Sequence, residues 1–137
     1  MIRTITWQNN TVVMIDQKRL PREECYLTCH THREVIAAIN DLTIRGAPAI
    51  GIAAAMGIAL GMLEAPDNSP SVFRETFDAL CREFQASRPT ARNLFWAVER
   101  MKALFDRISH PDAPFDAAAL RQILIDEAGK ILEEDIA

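Results

Sequence analysis

The residues best suited to bind a ligand lie between Ile44 and Gly51, where the sequence reads Ile-Arg-Gly-Ala-Pro-Ala-Ile-Gly. Arg45 carries a planar guanidinium, which forms paired hydrogen bonds with phosphate oxygens. Gly46 allows the backbone to come close to a ligand, and Pro48 is typical of the first turn of a helix. The unpaired amides at such a helix start attract anions. The segment therefore predicts a phosphate site; the alternative is a helix–turn–helix corner with Arg45 facing solvent.

A metal site is a second possibility, because Cys25, Cys29, His30 and His32 follow a C-x3-C-H-x-H pattern. Zinc needs four converging ligands, usually from two separated pairs. A strand followed by a helix cap would point Cys29 and His30 to opposite faces. We therefore expect no metal here, but core cysteines and surface histidines.

Two further groups of residues could take part in a site. Phe95 and Trp96 could form a stacking platform, but they fall within an amphipathic helical pattern, so we expect them to pack. Asp16 beside Gln17 could form a polar turn, or it could support a ligand-binding side chain without touching the ligand. The sequence leaves both alternatives open.

The overall composition excludes several classes of protein. The chain has 137 residues, 49% of them hydrophobic and 25% charged, which suits one soluble globular domain. A net charge of −4 argues against nucleic-acid binding. The N-terminus does not resemble a secretory signal, and three cysteines form no disulfide framework. We expect a cytoplasmic protein with reduced thiols and no cofactor.

An uncharged run from Ala47 to Leu63 raises the question of a membrane span. A spanning helix needs roughly 20 apolar residues, and this run is shorter, rich in Ala and Gly and free of aromatic anchors. Gly57 and Gly61 form a G-x-x-x-G step, which can also mark membrane helix dimers. We expect a fully buried helix of a soluble protein.

The predicted fold is α+β, with a small sheet in residues 1–30 and about five helices in residues 31–137, all in one domain. Strands are expected at Thr4–Trp7, Thr11–Ile15 and Cys25–Cys29, with a hairpin turn at 8–10. In the third strand, Cys25, Leu27 and Cys29 should share one face. The three strands should form an antiparallel sheet that packs on the helices.

Helix starts are indicated by capping residues. Thr31 with Glu34 matches a capping box, and Ser69, Thr90 and Asp116 precede further amphipathic patterns. Gly46 should end the first helix. The apolar faces expected to point inward are Val35, Ile36, Ile39 and Leu42; then Phe73, Phe77, Leu80, Cys81 and Phe84; then Leu94, Ala97, Val98, Met101, Leu104, Phe105 and Ile108; then Leu120, Ile123, Leu124, Ala128, Ile131 and Leu132.

The last residues, Glu133-Glu134-Asp135-Ile136-Ala137, place three acids at the end of a helix. Negative charge there opposes the helix dipole. The alternatives are a frayed surface helix and a natural chain that continues beyond Ala137, and we favour the second.

Two blocks of sequence are distinctive: Ile-Arg-Gly-Ala-Pro-Ala-Ile-Gly-Ile-Ala-Ala-Ala at 44–55, and Ser-Arg-Pro-Thr-Ala at 87–91 followed by Asn-Leu-Phe-Trp-Ala-Val at 93–98. Together they resemble the methylthioribose-1-phosphate isomerase family. Weaker matches are Trp7, Asp16-Gln17 and Leu20-Pro21. Relatives of this family are the ribose-1,5-bisphosphate isomerases and the regulatory subunits of initiation factor 2B. The resemblance extends from about residue 5 to the end of the chain.

The resemblance implies which residues bind substrate. The Arg-Gly-Ala triplet of the family contacts the sugar phosphate, here Arg45, Gly46 and Ala47, and so does the arginine of the second block, here Arg88. Arg92 departs from the family pattern and receives no role.

The family converts an aldose 1-phosphate into a ketose 1-phosphate in methionine salvage, with a cysteine and an aspartate in a later Rossmann-like domain. This chain stops before that domain, and neither Cys25, Cys29 nor Cys81 matches the catalytic position. The resemblance thus implies a substrate-binding part without catalytic residues, inactive alone, and a homodimer for the full-length protein. Two alternatives stay open: a non-catalytic factor 2B-like protein in translation regulation or metabolite sensing, and a helical interaction module without a ligand.

Overall fold

A three-stranded antiparallel sheet opens the fold. The computed structural model describes residues 5–41, 43, 44, 46–110, 112 and 114–136, apart from the side chains of Ala47, Asp135 and Ile136. Strands β1 (Ile5–Gln8), β2 (Thr11–Ile15) and β3 (Tyr26–Cys29) lie in the order β1-β2-β3. Asn9 and Asn10 both have positive φ, 50° and 59°, which suits a two-residue hairpin turn. The three predicted strands are confirmed.

Helix α1 (His32–Asn40) starts at the predicted cap. The Thr31 hydroxyl accepts a hydrogen bond from the Glu34 amide at 3.3 Å. The Glu34 carboxylate reaches back to the His30 amide, at 3.1 Å, one residue before the cap. The inward-facing residues of α1 include Val35 and Ile39, as predicted; Leu42 lies outside the described residues.

Helix α2 (Ala47–Met62) runs through the middle of the molecule and contacts every other helix. Its residues from Ile50 to Leu60 are all buried, because the sheet and the other helices surround it. The prediction of a buried helix is therefore confirmed. Among the described residues, no helix has the length and apolar character that a bilayer crossing requires.

Three amphipathic helices complete the bundle: α3 (Pro70–Ser87), α4 (Arg92–Ile108) and α5 (Ala117–Ile136). The Ser69 hydroxyl accepts from the Val72 amide at 3.2 Å, and the Asp116 carboxylate accepts from the Ala119 amide at 3.1 Å, so both predicted caps are confirmed. All five predicted core residues of α3 are buried, as are Leu94 to Phe105 of the α4 stripe. The α+β fold class is thus confirmed.

Four local predictions were wrong. Gly46 does not end α1, which stops at Asn40; it stands before α2 instead. Thr90 does not cap α4, because the Ala91 amide bonds to the Arg88 carbonyl at 3.0 Å and the resulting turn delays the helix to Arg92. Ile123 is exposed, although its pattern predicted burial. Phe95 and Trp96 are each 54% exposed, because they lie beside the inward stripe of α4.

Candidate phosphate site at the start of helix α2

Gly46 sets the direction in which the chain enters α2. Its φ of 96° and ψ of 137° belong to a region that side chains rarely adopt. Its carbonyl accepts the first bond of the helix, from the Ile50 amide at 3.1 Å. Pro48 follows in the first turn and has no N–H to offer. Helix geometry leaves the amides of Ala47 and Ala49 without intrahelical partners, so they can face an anion.

The residues that lead to this turn are held from several sides. The Thr43 hydroxyl and amide donate to one oxygen of the Asp41 carboxylate, at 2.6 and 2.9 Å. The hydroxyl bond is the largest reason why the pKa of Asp41 is lowered. The Gln17 amide donates to the Thr43 carbonyl at 2.8 Å, and Thr43 and Ile44 are buried. The backbone is therefore held in place at Thr43 and Ile44.

Asp16 and Gln17 help to position the segment before α2. The Asp16 carboxylate accepts from the Lys18 amide at 3.1 Å and begins a single 3-10 turn, Gln17–Arg19. Of the two alternatives that the sequence left open, these residues therefore form the polar turn. The same turn presents the Gln17 amide to the Thr43 carbonyl, so it also anchors the segment before α2.

Arg88 comes to the same end of the bundle. It stands at the end of α3, half-buried, and its Nη1 donates to the Ile39 carbonyl in the last turn of α1, at 3.4 Å. The neighbouring carbonyl, that of Ala38, accepts from the Ile44 amide at 3.3 Å. The guanidinium and the segment before Gly46 therefore bond to adjacent carbonyls at the C-terminal end of α1. A guanidinium carries five N–H donors, and this bond uses one of them.

The predicted site residues fall into three groups. Gly46, the Ala47 backbone and Arg88 lie at one end of the bundle. Arg45 and the Ala47 side chain lie outside the described residues. Arg92, which received no role, is exposed at the start of α4.

A groove of about 270 Å³ lies between the first turns of α2, the first turns of α4 and the end of α5. Gly51 allows the close approach of α2 and α4 at its floor, because a Cβ there would lie 2.8 Å from the Asn93 carbonyl oxygen. The groove is lined by Pro48, Gly51, Ile52, Asn93, Trp96, Ala97, Ile131 and Glu134. It therefore begins within the first turn of the helix that starts at the predicted phosphate site.

Trp96, which the sequence offered as a possible stacking residue but which was expected to pack, lines this groove. The inward residues of α4 repeat at 94, 97, 98, 101, 104 and 105, so position 96 lies beside that stripe. The periodicity therefore contained a signal that Trp96 faces outward.

A second cavity, of about 350 Å³, lies near the other end of α4, where Phe73, Phe105 and Phe115 line it. A helix of this length spans roughly 25 Å, which separates the two ends. None of the described residues that line this cavity belongs to the predicted phosphate site. This cavity therefore gives no support to phosphate binding.

The three cysteines occupy different environments. Burial raises the pKa of Cys29 and of Cys81 to about 12 in each case, so both are thiols at neutral pH. Cys25 is half-buried and its thiol donates to the Glu23 carboxylate at 3.3 Å. In the part of the chain that the structure describes, no group of three or more His, Cys, Asp or Glu side chains could hold a metal ion.

Comparison with known proteins places these features in a family. The model of the initiation factor 2 subunit family matches residues 43–137. The methylthioribose-1-phosphate isomerase of Syntrophus aciditrophicus is 52% identical over 98% of this chain and 40% of its own length. That of Koribacter versatilis is 45% identical over 100% of this chain and 38% of its own length. The chain thus spans about two-fifths of these relatives.

Solved structures agree with the sequence matches. The 5-methylthioribose 1-phosphate isomerase of Pyrococcus horikoshii shares 36% identity, with a TM-score of 0.89 over 98% of this chain and 36% of that one. The translation initiation factor eIF-2B subunit delta of A. fulgidus shares 30% identity, with a TM-score of 0.80 over 99% of this chain and 38% of that one. The chain belongs to the initiation factor 2 subunit family, and its similarity to methylthioribose-1-phosphate isomerases extends over nearly its whole length.

Proposed function

We propose that this chain is the substrate-binding part of a methylthioribose-1-phosphate isomerase and that it binds the phosphate of the sugar at the start of α2. The observation that carries the proposal is that Arg88 and the segment leading into the Gly46 turn both bond to carbonyls in the last turn of α1. The similarity to named isomerases supports the choice of substrate.

Each site residue has a physical part in this proposal. The amides of Ala47 and Ala49 and the positive end of the α2 dipole attract the phosphate. Arg88 and Arg45 add charge-assisted hydrogen bonds to its oxygens. Gly46 supplies the backbone direction that turns the amides outward.

The reaction of the complete enzyme moves hydrogen between C1 and C2, so that an aldose 1-phosphate becomes a ketose 1-phosphate in methionine salvage. That step needs an acid and a base beside the carbons. By the family resemblance, a cysteine and an aspartate outside this chain serve there. The chain, a single domain, therefore binds substrate without turning it over, and the complete enzyme acts as a cytoplasmic homodimer.

A non-catalytic role akin to initiation factor 2B is the second candidate, and the likeness to the A. fulgidus delta subunit favours it. The isomerase of P. horikoshii has the higher identity and TM-score of the two, 36% and 0.89. A factor-like protein would act through a protein partner, and its affinity for 5-methylthioribose 1-phosphate would not depend on Arg88.

Substitution of the two arginines tests the proposal. Arg88→Ala and Arg45→Ala should each weaken the binding of 5-methylthioribose 1-phosphate about 10- to 100-fold, because each removes roughly 1.5–3 kcal/mol of charged hydrogen bonding. Isothermal titration calorimetry of the chain measures the dissociation constants. Arg92→Ala is the matched control, since Arg92 is exposed four residues after Arg88, and it should change affinity less than twofold.

Arg88→Lys separates binding from folding, because it keeps a donor for the Ile39 carbonyl and loses the planar fork. It should retain the wild-type circular dichroism and still bind more weakly. Wild-type affinity in Arg88→Ala, or no binding by the wild-type chain at millimolar sugar phosphate, would refute the proposal.

A further inference from the structure

Trp96 presents a large aromatic surface beside the proposed phosphate site. The side chain is 54% exposed and lines the groove between α2 and α4. Phe95 is exposed to the same degree but is not one of the residues that line the groove. The two neighbours therefore differ in position and not in exposure.

Arg100 holds the indole of Trp96 in place. Its Cζ lies 5.5 Å from the ring centroid, within the range of a cation–π contact. Its Nη1 and Nη2 donate to the two oxygens of Glu134 at 2.7 and 2.6 Å, and its Nε donates to Glu127 at 2.7 Å. The hydrogen bond from Arg100 lowers the pKa of Glu134. An aromatic ring fixed in this way loses little freedom when a ligand arrives.

The groove also has the right chemistry for an apolar end of a ligand. Ile52, Ala97 and Ile131 line it together with Trp96, and the Glu134 carboxylate at its rim is occupied by Arg100. A thioether is apolar and polarisable, and sulfur makes favourable contacts with aromatic rings. A hydroxyl in the same place would find fewer replacements for its bonds to water, because the described lining is apolar apart from Asn93 and the Arg100-bound Glu134.

The position of the groove fits a sugar whose phosphate lies at Gly46. Gly51 lies five residues further along α2, roughly 8 Å along the helix axis at 1.5 Å per residue. The C1 phosphate and the C5 substituent stand at opposite ends of the pentose. A ligand that reaches from the helix start into the groove would therefore bring its C5 substituent to Trp96.

We propose that this groove binds the methylthio group of the substrate and that Trp96 is the residue that selects a 5-methylthio sugar over a 5-hydroxy sugar. This inference rests on the proposed function, because it takes the phosphate to lie at the start of α2. It assigns to α4 a specificity role that is separate from phosphate binding.

Two sugar phosphates and two variants test the inference. The chain should bind 5-methylthioribose 1-phosphate about tenfold or more tightly than ribose 1-phosphate, which is the usual effect of an apolar group in a fitted pocket. Trp96→Ala should remove most of that preference and leave the affinity for ribose 1-phosphate within about twofold. Trp96→Phe should retain most of it, and Phe95→Ala, the matched control, should keep it fully. Calorimetric titration or NMR line positions provide the dissociation constants.

The outcomes separate the two proposals. If Trp96→Ala keeps the full preference, or if Phe95→Ala loses it equally, the groove does not bind the methylthio group, although phosphate binding at Arg88 can still stand. If the wild-type chain binds both sugars equally well, the inference is likewise overturned. If neither sugar binds, both the inference and the proposed function fail.

Discussion

Gly46 is the residue whose backbone conformation most directly shapes the candidate site. Its φ of 96° is costly for any residue with a Cβ, yet a Cβ there would meet no heavy atom within 4 Å among the described residues, its chain neighbours apart. The cost of a side chain at this position is therefore one of backbone conformation and not of collision. Such conformations cost about 1–3 kcal/mol.

Substitution of Gly46 and of Gly129 should therefore have opposite effects. Gly46→Ala should lower the free energy of unfolding by about 1–3 kcal/mol and weaken sugar-phosphate binding. Gly129→Ala also meets no atom within 4 Å, but it lies inside α5, where Ala is favoured by about 0.5–1 kcal/mol. Urea denaturation followed by circular dichroism measures both. Equal stability changes of the same sign would show that Gly46 does not hold a strained turn.

At the residue scale, the sequence predicted local features better than distant contacts. The Arg-Gly-Ala-Pro order was enough to predict a helix start with a glycine turn, because those preferences act within a few residues. The bond from Arg88 to the Ile39 carbonyl joins residues 49 apart, so no local pattern could predict it. Arg45 lies outside the described residues, and its role stays a prediction.

At the element scale, helices were predicted where hydroxyl or carboxylate caps precede an apolar stripe. Ser69 and Asp116 act as expected, because each cap bonds to an amide three residues ahead. The prediction that Thr90 caps α4 was wrong because Thr90 lies inside the turn that the bond between the Ala91 amide and the Arg88 carbonyl closes. The length of α2 could be predicted from its unbroken apolar run. A carbonyl at its C-terminal end, however, bonds to a side chain of another helix, which no local pattern indicates.

Arg121 of α5 caps the C-terminal end of α2. Its Nε donates to the Met62 carbonyl at 2.9 Å and its Nη2 to the Ala65 carbonyl at 2.7 Å. The guanidinium also lies 3.3 Å from the Asp67 carboxylate and 5.4 Å from the Phe73 ring centroid. A cation at this position interacts favourably with the negative end of the helix dipole.

Arg121→Ala should lower the free energy of unfolding by about 2–3 kcal/mol, because it leaves two part-buried carbonyls without these donors. Arg121→Lys should recover part of the loss, since an ammonium can reach one carbonyl. Arg107→Ala, at an exposed position in the last turn of α4, should cost less than about 0.5 kcal/mol. Urea titrations of the three variants provide the comparison, and an Arg121→Ala protein as stable as Arg107→Ala would disprove the capping role.

At the scale of the whole molecule, the buried α2 runs between two structurally different ends of the bundle. One end contains the last turn of α1, the start of α2 and Arg88, and the groove lined by Trp96 lies beside it. The other end is tied by Arg121 and holds the aromatic cavity. Because α2 contacts every other helix, the position of its first turn depends on the packing of the whole bundle.

The central claim is that a sugar phosphate binds at the start of α2, and an NMR titration tests it most directly. Addition of 5-methylthioribose 1-phosphate to the ¹⁵N-labelled chain should shift the amides of Gly46, Ala47 and Ala49 and the Arg88 Nε signal, saturably. The same sugar without phosphate should leave those signals in place. Shifts confined to the cavity around Phe73 and Phe115, or equal shifts at Gly46 with the phosphate-free sugar, would contradict the account.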